Sequence, residues 1–482
     1  MRSDIQRALR RVDTSGWKRI LVEFGRLFLE ISVPPACEIL TMGDVATLSD
    51  PAGAIEGALS SPIGCSPIKE IVASKGKPVS DITASVSVSD ITRPVPYKGT
   101  EGILVPLLKK LESAGVRTSN VTIIVGTGTH RPSTPAEKIE MFGEDVARGY
   151  RILDHNCADL GCMTDLGKTR KGTRVYINTA FYSADVKIVT GLIESHFMAG
   201  VSGGRKGICP ALVDQRTIER FHGPEFLESP FADNLVLQGN PCHEEALDVA
   251  RTVGVDFTVN VTLDKDMRLT GVFAGHLEEA HSRAFLFMKD YTAVPLRHEY
   301  DIVLTHSGYA GRNHYQAAKA GCSAVAAVKK NGAVIIAADN RDPEPIGGPD
   351  YRNLLARLKA LGVEGYLKLI RSPNWVFTKD QWEPEVWGRV LRKIGEEGLI
   401  YCAPQIPKDQ YSLIPGQSGF DFLEDNRVSS VRDTAQAMVQ NAVLYLISEH
   451  QERGIQPSMA FLREGPYVVP TRAPSLSRSA GA

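Results

Sequence analysis

Short β-branched and aliphatic runs, each closed by a polar or glycine-rich loop and followed by a helix-forming stretch, recur along this chain. That alternation restricts its fold more than any other feature. Val121–Val125 ends in Gly126-Thr127-Gly128-Thr129. Beyond it, Thr134-Pro135-Ala136-Glu137 is a capping box with proline at the first helical position, and Gly143 suits the stop. Val186–Thr190 is another buried run that opens into a glycine-rich loop. Asp301–Thr305 and Ala333–Ala338 read as buried strands with a helix over Ala317–Lys329 between them. Strands alternating with helices give parallel sheets covered on both faces. The spacing predicts two α/β domains with mostly parallel sheets and a boundary near Thr292–Arg297.

The flanks add simpler elements. Ile20–Phe24 and Leu27–Val33 read as strands around a turn at Gly25-Arg26, preceded by a basic helix over Arg2–Val12. Ala435, Met438, Val439, Ala442 and Leu446 line one face of a late helix over Val431–His450, and the tail from Thr471 is expected to be disordered. With 55 Lys and Arg against 56 Asp and Glu, the net charge of −1 argues against a nucleic-acid surface or a polybasic membrane anchor. The apolar stretch Ile20–Val33 is broken by Glu23, Arg26 and Glu30, so it neither spans a bilayer nor makes a signal sequence. The eight cysteines form no C-x-x-C and read as reduced thiols of a cytoplasmic protein.

Three loops concentrate polar chemistry. In Ser89-Asp90-Ile91-Thr92-Arg93-Pro94-Val95-Pro96, two prolines stiffen the chain, and Arg93 could fork a carboxylate or phosphate. The plain alternative is an Asp90–Arg93 surface pair. In Gly126-Thr127-Gly128-Thr129-His130-Arg131, glycines between strand and helix let amides approach an anion, and His130 sits where open α/β sheets place ligands. The third loop runs from Gly191 through His196, Gly203, Gly204 and Arg205 to Lys206, whose amine could reach a phosphate or a carbonyl carbon. Its following helix ends at His222 before Gly223-Pro224, where the negative helix end favours a metal cation. A solvated glycine-rich turn with structural histidines is the alternative there. Farther on, Tyr315 and Lys319 share a helix face, Gln316 is three residues from Lys319, and Trp382 and Trp387 lie around a helix over Pro384–Lys393, where tryptophans are more often core than site.

With these motifs in this order, the chain resembles the nickel-dependent lactate racemase family. The match is strongest over Glu194–Lys206 with His222 beyond it, and it extends to Asp90–Pro96, Gly126–Arg131 and Tyr315–Lys319. The resemblance implies a catalytic and cofactor-binding domain over 1–292, a second α/β domain over 297–424, a C-terminal helix and tail over 425–482, and an active site in the cleft between the domains. It implies a nickel pincer nucleotide tethered to Lys206, with His222 as a nickel ligand and His130 and His196 as the proton-transfer pair. Arg93, Tyr315, Gln316 and Lys319 would hold the substrate; Asp90, Gly203, Gly204 and Trp382 would line the cofactor. The implied substrate is a 2-hydroxy acid, and cofactor-biosynthesis proteins are the implied partners. Two other readings remain at this stage: a metal-dependent hydrolase with His130, His196 and His222 as ligands, and a non-enzymatic protein that carries the cofactor.

Overall fold

The structure is a computed structural model that describes residues 11–309, 311–423 and 430–472. Most of the expected N-terminal helix and the tail beyond Arg472 lie outside the described residues. The chain divides into two compact units, residues 44–291 and, discontinuous in sequence, residues 1–43 with 292–482.

The continuous unit is built on a six-stranded sheet in the order Leu269–Gly275, Phe257–Leu263, Val186–Leu192, Ala84–Ser89, Val121–Gly126, Arg151–Asp154. All neighbours are parallel except the edge strand Leu269–Gly275. The alternation in Ala84–Ser89 explains how a central strand is covered on both faces. Val86 and Val88 enter an apolar core with Ile123, Val125 and Ile188. Ser85 and Ser87 point the other way and donate to the carbonyls of Ala180 and Gly207 at 2.9 and 2.8 Å, which satisfies their buried hydroxyls. Leu104, Leu107, Leu108 and Leu111, spaced by three and four, bury one face of the helix Leu104–Ser113. The register Val88↔Val125 and Val86↔Ile188 ends three neighbouring strands at one edge, so the loops after Ser89, Gly126 and Leu192 emerge side by side. This C-terminal edge is where open parallel sheets bind ligands.

The discontinuous unit has an all-parallel sheet in the order Gln417–Ser418, Leu399–Cys402, Val328–Ala337, Tyr300–His306, Met459–Leu462, Glu38–Leu40. The hairpin of Lys18–Phe24 and Leu27–Val33 buries Val22, Phe24, Leu29 and Ile31 in the same core as Met438, Val439 and Ala442 of the helix Val431–Glu452. Gln436 and Gln440, four apart on that helix, accept from the backbone amides of Glu30 and Ser32 at 2.9 and 2.7 Å. Gln440 also donates back to the Ser32 carbonyl at 3.1 Å. Side chains thus close a strand edge that would otherwise offer unpaired amides.

The units divide at Tyr291 and Thr292, close to the expected boundary, but the first 43 residues depart from the expected 1–292 domain. Glu38–Leu40 is an edge strand whose partner, Met459–Leu462, lies near the other end of the sequence. Of the expected segment 425–482, the described residues 430–472 do not stand apart: the helix Val431–Glu452 completes this core, and Val469–Arg472 pairs with Ala293–Leu296. Among the described residues no helix is long and apolar enough to cross a membrane.

Candidate active site

The loop after Ser89 is fixed from beneath. The Tyr97 hydroxyl accepts from the Ser89 amide at 2.7 Å and meets the Thr190 hydroxyl at 2.9 Å. This fastening places Asp90, only 6% exposed, with its Oδ2 2.6 Å from Nδ1 of His130. Its Oδ1 accepts from the amide and hydroxyl of Thr92 at 3.1 and 2.5 Å. Burial works against the charged carboxylate, but the hydrogen bond and charge of His130, the Thr92 hydroxyl and the Arg93 charge together hold its pKa below the ordinary value. A carboxylate on Nδ1 fixes the tautomer of a histidine and leaves Nε2 as its working nitrogen. Arg93 does not form the simple surface pair with Asp90; its Nε lies 3.7 Å from Oε1 of Glu194, a contact of the third loop.

In the Gly126–Arg131 loop three amides are bonded to backbone carbonyls: Thr127 N–H reaches Val125, Gly128 N–H reaches Ala211 and His130 N–H reaches Thr127. Gly126 is required for close approach, since a Cβ there would sit 2.8 Å from that of Ala211. The glycines shape the turn that carries His130.

In the third loop, Ser195–His196 pairs with Gly200–Val201. The amides of Met198 and Ala199 point at Nδ1 of His196 from 3.4 and 3.3 Å, and the other ring nitrogen, Nε2, lies 2.7 Å from Nζ of Lys206. Gly203 and Gly204 have φ of 70° and 48°. The Gly204 amide donates to the Asn260 side chain at 2.9 Å, and a Cβ on Gly204 would meet the His281 ring at 2.6 Å. These two glycines therefore pack the loop onto its own domain; the Gly204 amide is not presented to a cofactor.

The helix Gln215–Phe221 is capped by Asp214, whose carboxylate accepts from the amides of Arg216 and Thr217 at 3.0 and 3.3 Å. It delivers His222 at its C-terminal end, where Nδ1 donates to the Ile218 carbonyl at 2.9 Å. That bond turns Nε2 into the ring's coordinating lone pair. Burial, with the charges of Lys206 and His130 adding, pushes the His222 pKa down to about 3, so the ring is neutral, as a metal ligand must be.

In the other unit, Asn313 caps the helix His314–Ala327 by accepting from the Gln316 amide at 2.9 Å. Burial, then the charges of Glu383 and Asp380, raise the Tyr315 hydroxyl far above its usual range despite a hydrogen bond with Trp382. Burial likewise pushes Glu383 up to about 8, against the pull of Lys319. Tyr315, Lys319 and Trp382 are thus gathered around one buried carboxyl. The sequence singles out neither Glu383 nor Asn260 and His281, and it shows Glu194 and Arg205 only as members of the glycine-rich loop. Glu383 sits in the acidic first turn of the helix Trp382–Ile394 and resembles an ordinary helix-start charge.

Among the described residues no group of three or more histidine, cysteine or acidic side chains could hold a metal ion. His130 and His196 are instead engaged by Asp90 and Lys206. A single neutral histidine suits a metal that brings most of its ligands on an organic group.

The fold and these loops define an α/β enzyme whose polar groups converge at the C-terminal edge of a parallel sheet. Residues 24–233 match the lactate racemase N-terminal domain model and residues 297–409 the C-terminal domain model. The chain is 34% identical over 339 residues to lactate racemase of Lactiplantibacillus plantarum, covering 70% of this chain and 77% of that one. Against lactate racemase of Thermoanaerobacterium thermosaccharolyticum the figure is 30% over 338 residues, covering 70% and 76%. The solved lactate racemase apoprotein from the latter organism superposes with a TM-score of 0.76 at 25% identity, covering 94% of this chain and all of that one. A Thermotoga maritima protein shares the fold at a TM-score of 0.60 and 15% identity, covering 90% of this chain and all of that one. The chain belongs to the lactate racemase family and is an isomerase.

Proposed function

We propose that this protein racemises or epimerises a small 2-hydroxy acid of the lactate type, using a nickel pincer nucleotide tethered through Lys206. The observation that carries this reading is the placement of two histidines with different partners, Asp90 on His130 and Lys206 on His196, beside a third neutral histidine at 222. The relatives' activity supports the substrate class. When bound, the pincer nucleotide supplies reversible acceptance of the Cα hydrogen as hydride.

The chain's own residues do the rest. One histidine takes the hydroxyl proton and the other returns a proton on the opposite side, because the hydroxyl points different ways in the two enantiomers. Asp90 keeps His130 in the tautomer that exposes Nε2. Arg93, whose contact with Glu194 is as long as 3.7 Å, turns to the substrate carboxylate and holds it while the carbonyl moves. Lys319, Gln316 and Tyr315 supply further contacts to the substrate, and Trp382 and the turn at Gly203 and Gly204 shape the cofactor's surroundings. His222 provides the protein's ligand to nickel. Proteins that make the cofactor are its partners. The three-histidine hydrolase loses support, because among the described residues no group of three or more histidine, cysteine or acidic side chains could hold a metal ion.

Produced together with the cofactor-making proteins, the enzyme should carry a nickel-containing adduct, absorb in the visible and racemise at least one acid in a panel of chiral 2-hydroxy acids. Protein of unmodified mass that leaves every acid optically unchanged would overturn the proposal. Asp90→Asn should keep the adduct but lower kcat by about 10–100-fold, since the amide no longer fixes the charge and tautomer of His130. Racemisation at the wild-type rate would show that Asp90 has no part in orienting that ring.

A further inference from the structure

The most unusual buried group outside the residues already assigned is Arg205. Its side chain is 1% exposed, yet it is held by three backbone carbonyls and an imidazole rather than by a carboxylate. Nη2 donates to Ala199 O at 2.7 Å and Nη1 to the carbonyls of Ser202 and Gly203 at 3.4 Å; Nη1 also lies 2.7 Å from His281 Nε2, which is itself 3.0 Å from the Ser202 carbonyl. Nε finds no hydrogen-bond partner among the described residues. Burial lowers the guanidinium pKa to about 9. Enclosing a cation without a counter-charge is costly, and an apolar residue would fill the space more cheaply. The arrangement makes sense through what the five-donor fork holds in place.

Those bonds lead to both ends of one contact. Ala199, whose carbonyl Arg205 holds, is also the residue whose amide points at Nδ1 of His196. Gly203, touched through its carbonyl, accepts the Lys206 amide at 3.0 Å and starts the turn that aims Lys206. His281, on the helix Leu277–Thr292, fixes the fork from behind and packs where Gly204 has no side chain. The loop between His196 and Lys206 is therefore closed around one side chain.

We propose that Arg205, held by His281, is a positioning residue that sets the Lys206 amine against His196 and so prepares Lys206 for cofactor attachment. The last step rests on Lys206 being the attachment point; the Lys206–His196 geometry does not.

The test uses the full chain, produced with and without the cofactor-making proteins, as wild type, Arg205→Met, His281→Ala and His281→Gln. Glutamine restores an acceptor for the Arg205 fork. Intact mass is expected to show the adduct fraction reduced about tenfold or more in Arg205→Met and His281→Ala, as a small misplacement of a reacting group commonly costs. In His281→Gln the fraction should return towards wild type. In the unloaded protein, the ¹⁵N signals of the His196 ring should shift in both disruptive variants and revert in His281→Gln. Melting temperatures separate misplacement from unfolding; if Arg205→Met does not fold, the two His281 variants decide. Folded disruptive variants with wild-type His196 signals would overturn the proposal, as would wild-type loading in them. Wild-type protein without an adduct on Lys206 would instead refute the attachment reading, leaving the ring signals to judge the positioning role.

Discussion

Alanine at His130 or at His196 should abolish racemisation in both directions. Each turnover uses one imidazole as base and the other as acid, so neither enantiomer is spared when one is lost. General acid–base groups contribute about 10²–10⁴-fold, and kcat should fall within that range for each variant. Nickel content should stay at the wild-type level in His130→Ala, because that ring contacts Asp90 and the proposed ligand is His222; in His196→Ala, whose ring contacts Lys206, the rate is expressed per bound nickel. The measurement is metal content beside the racemisation rate from each pure enantiomer. Nickel lost along with activity in both variants would restore the three-histidine metal site.

Removing the amine should have an all-or-none effect on loading. Lys206→Ala is expected to leave the intact mass without the adduct, since the adjacent Arg205 is buried, turned into the loop and cannot offer the same tether. Activity should fall to background. His222→Ala should separate the two functions, keeping the adduct on Lys206 but losing most of the nickel. An unchanged adduct mass in Lys206→Ala would place the attachment elsewhere, and full nickel occupancy in His222→Ala would identify another ligand.

Much of the continuous unit was legible because its signals are local. The β-branched run at Val121–Val125, the capping box at Thr134 and the stop at Gly143 each act within a few residues, and the helix Pro135–Phe142 begins and ends where they require. The Asp214–His222 helix was readable for the same reason. Partnerships across the sheet were not. Nothing near Asp90 announces that His130, on the neighbouring strand's loop, will take its carboxylate, because that pairing follows from register. At Gly126 the missing side chain relieves contact with Ala211, and Gly204, as its glycine-rich loop suggested, takes a positive φ close against His281. A buried arginine held by carbonyls leaves no sequence pattern, since its partners are backbone atoms and a histidine 76 residues away.

The strand Glu38–Leu40 has a consequence for how the protein is made. Its neighbour in the sheet, Met459–Leu462, emerges from the ribosome only after all of residues 44–291 has been made, and that stretch has all its sheet partners within itself. Domains generally fold as units while the chain is being elongated. The intervening domain can thus be finished while the first 43 residues still wait for their sheet. During that interval the apolar side of the Lys18–Val33 hairpin lacks the helix that later covers it, which makes this early segment the natural point of engagement for a chaperone.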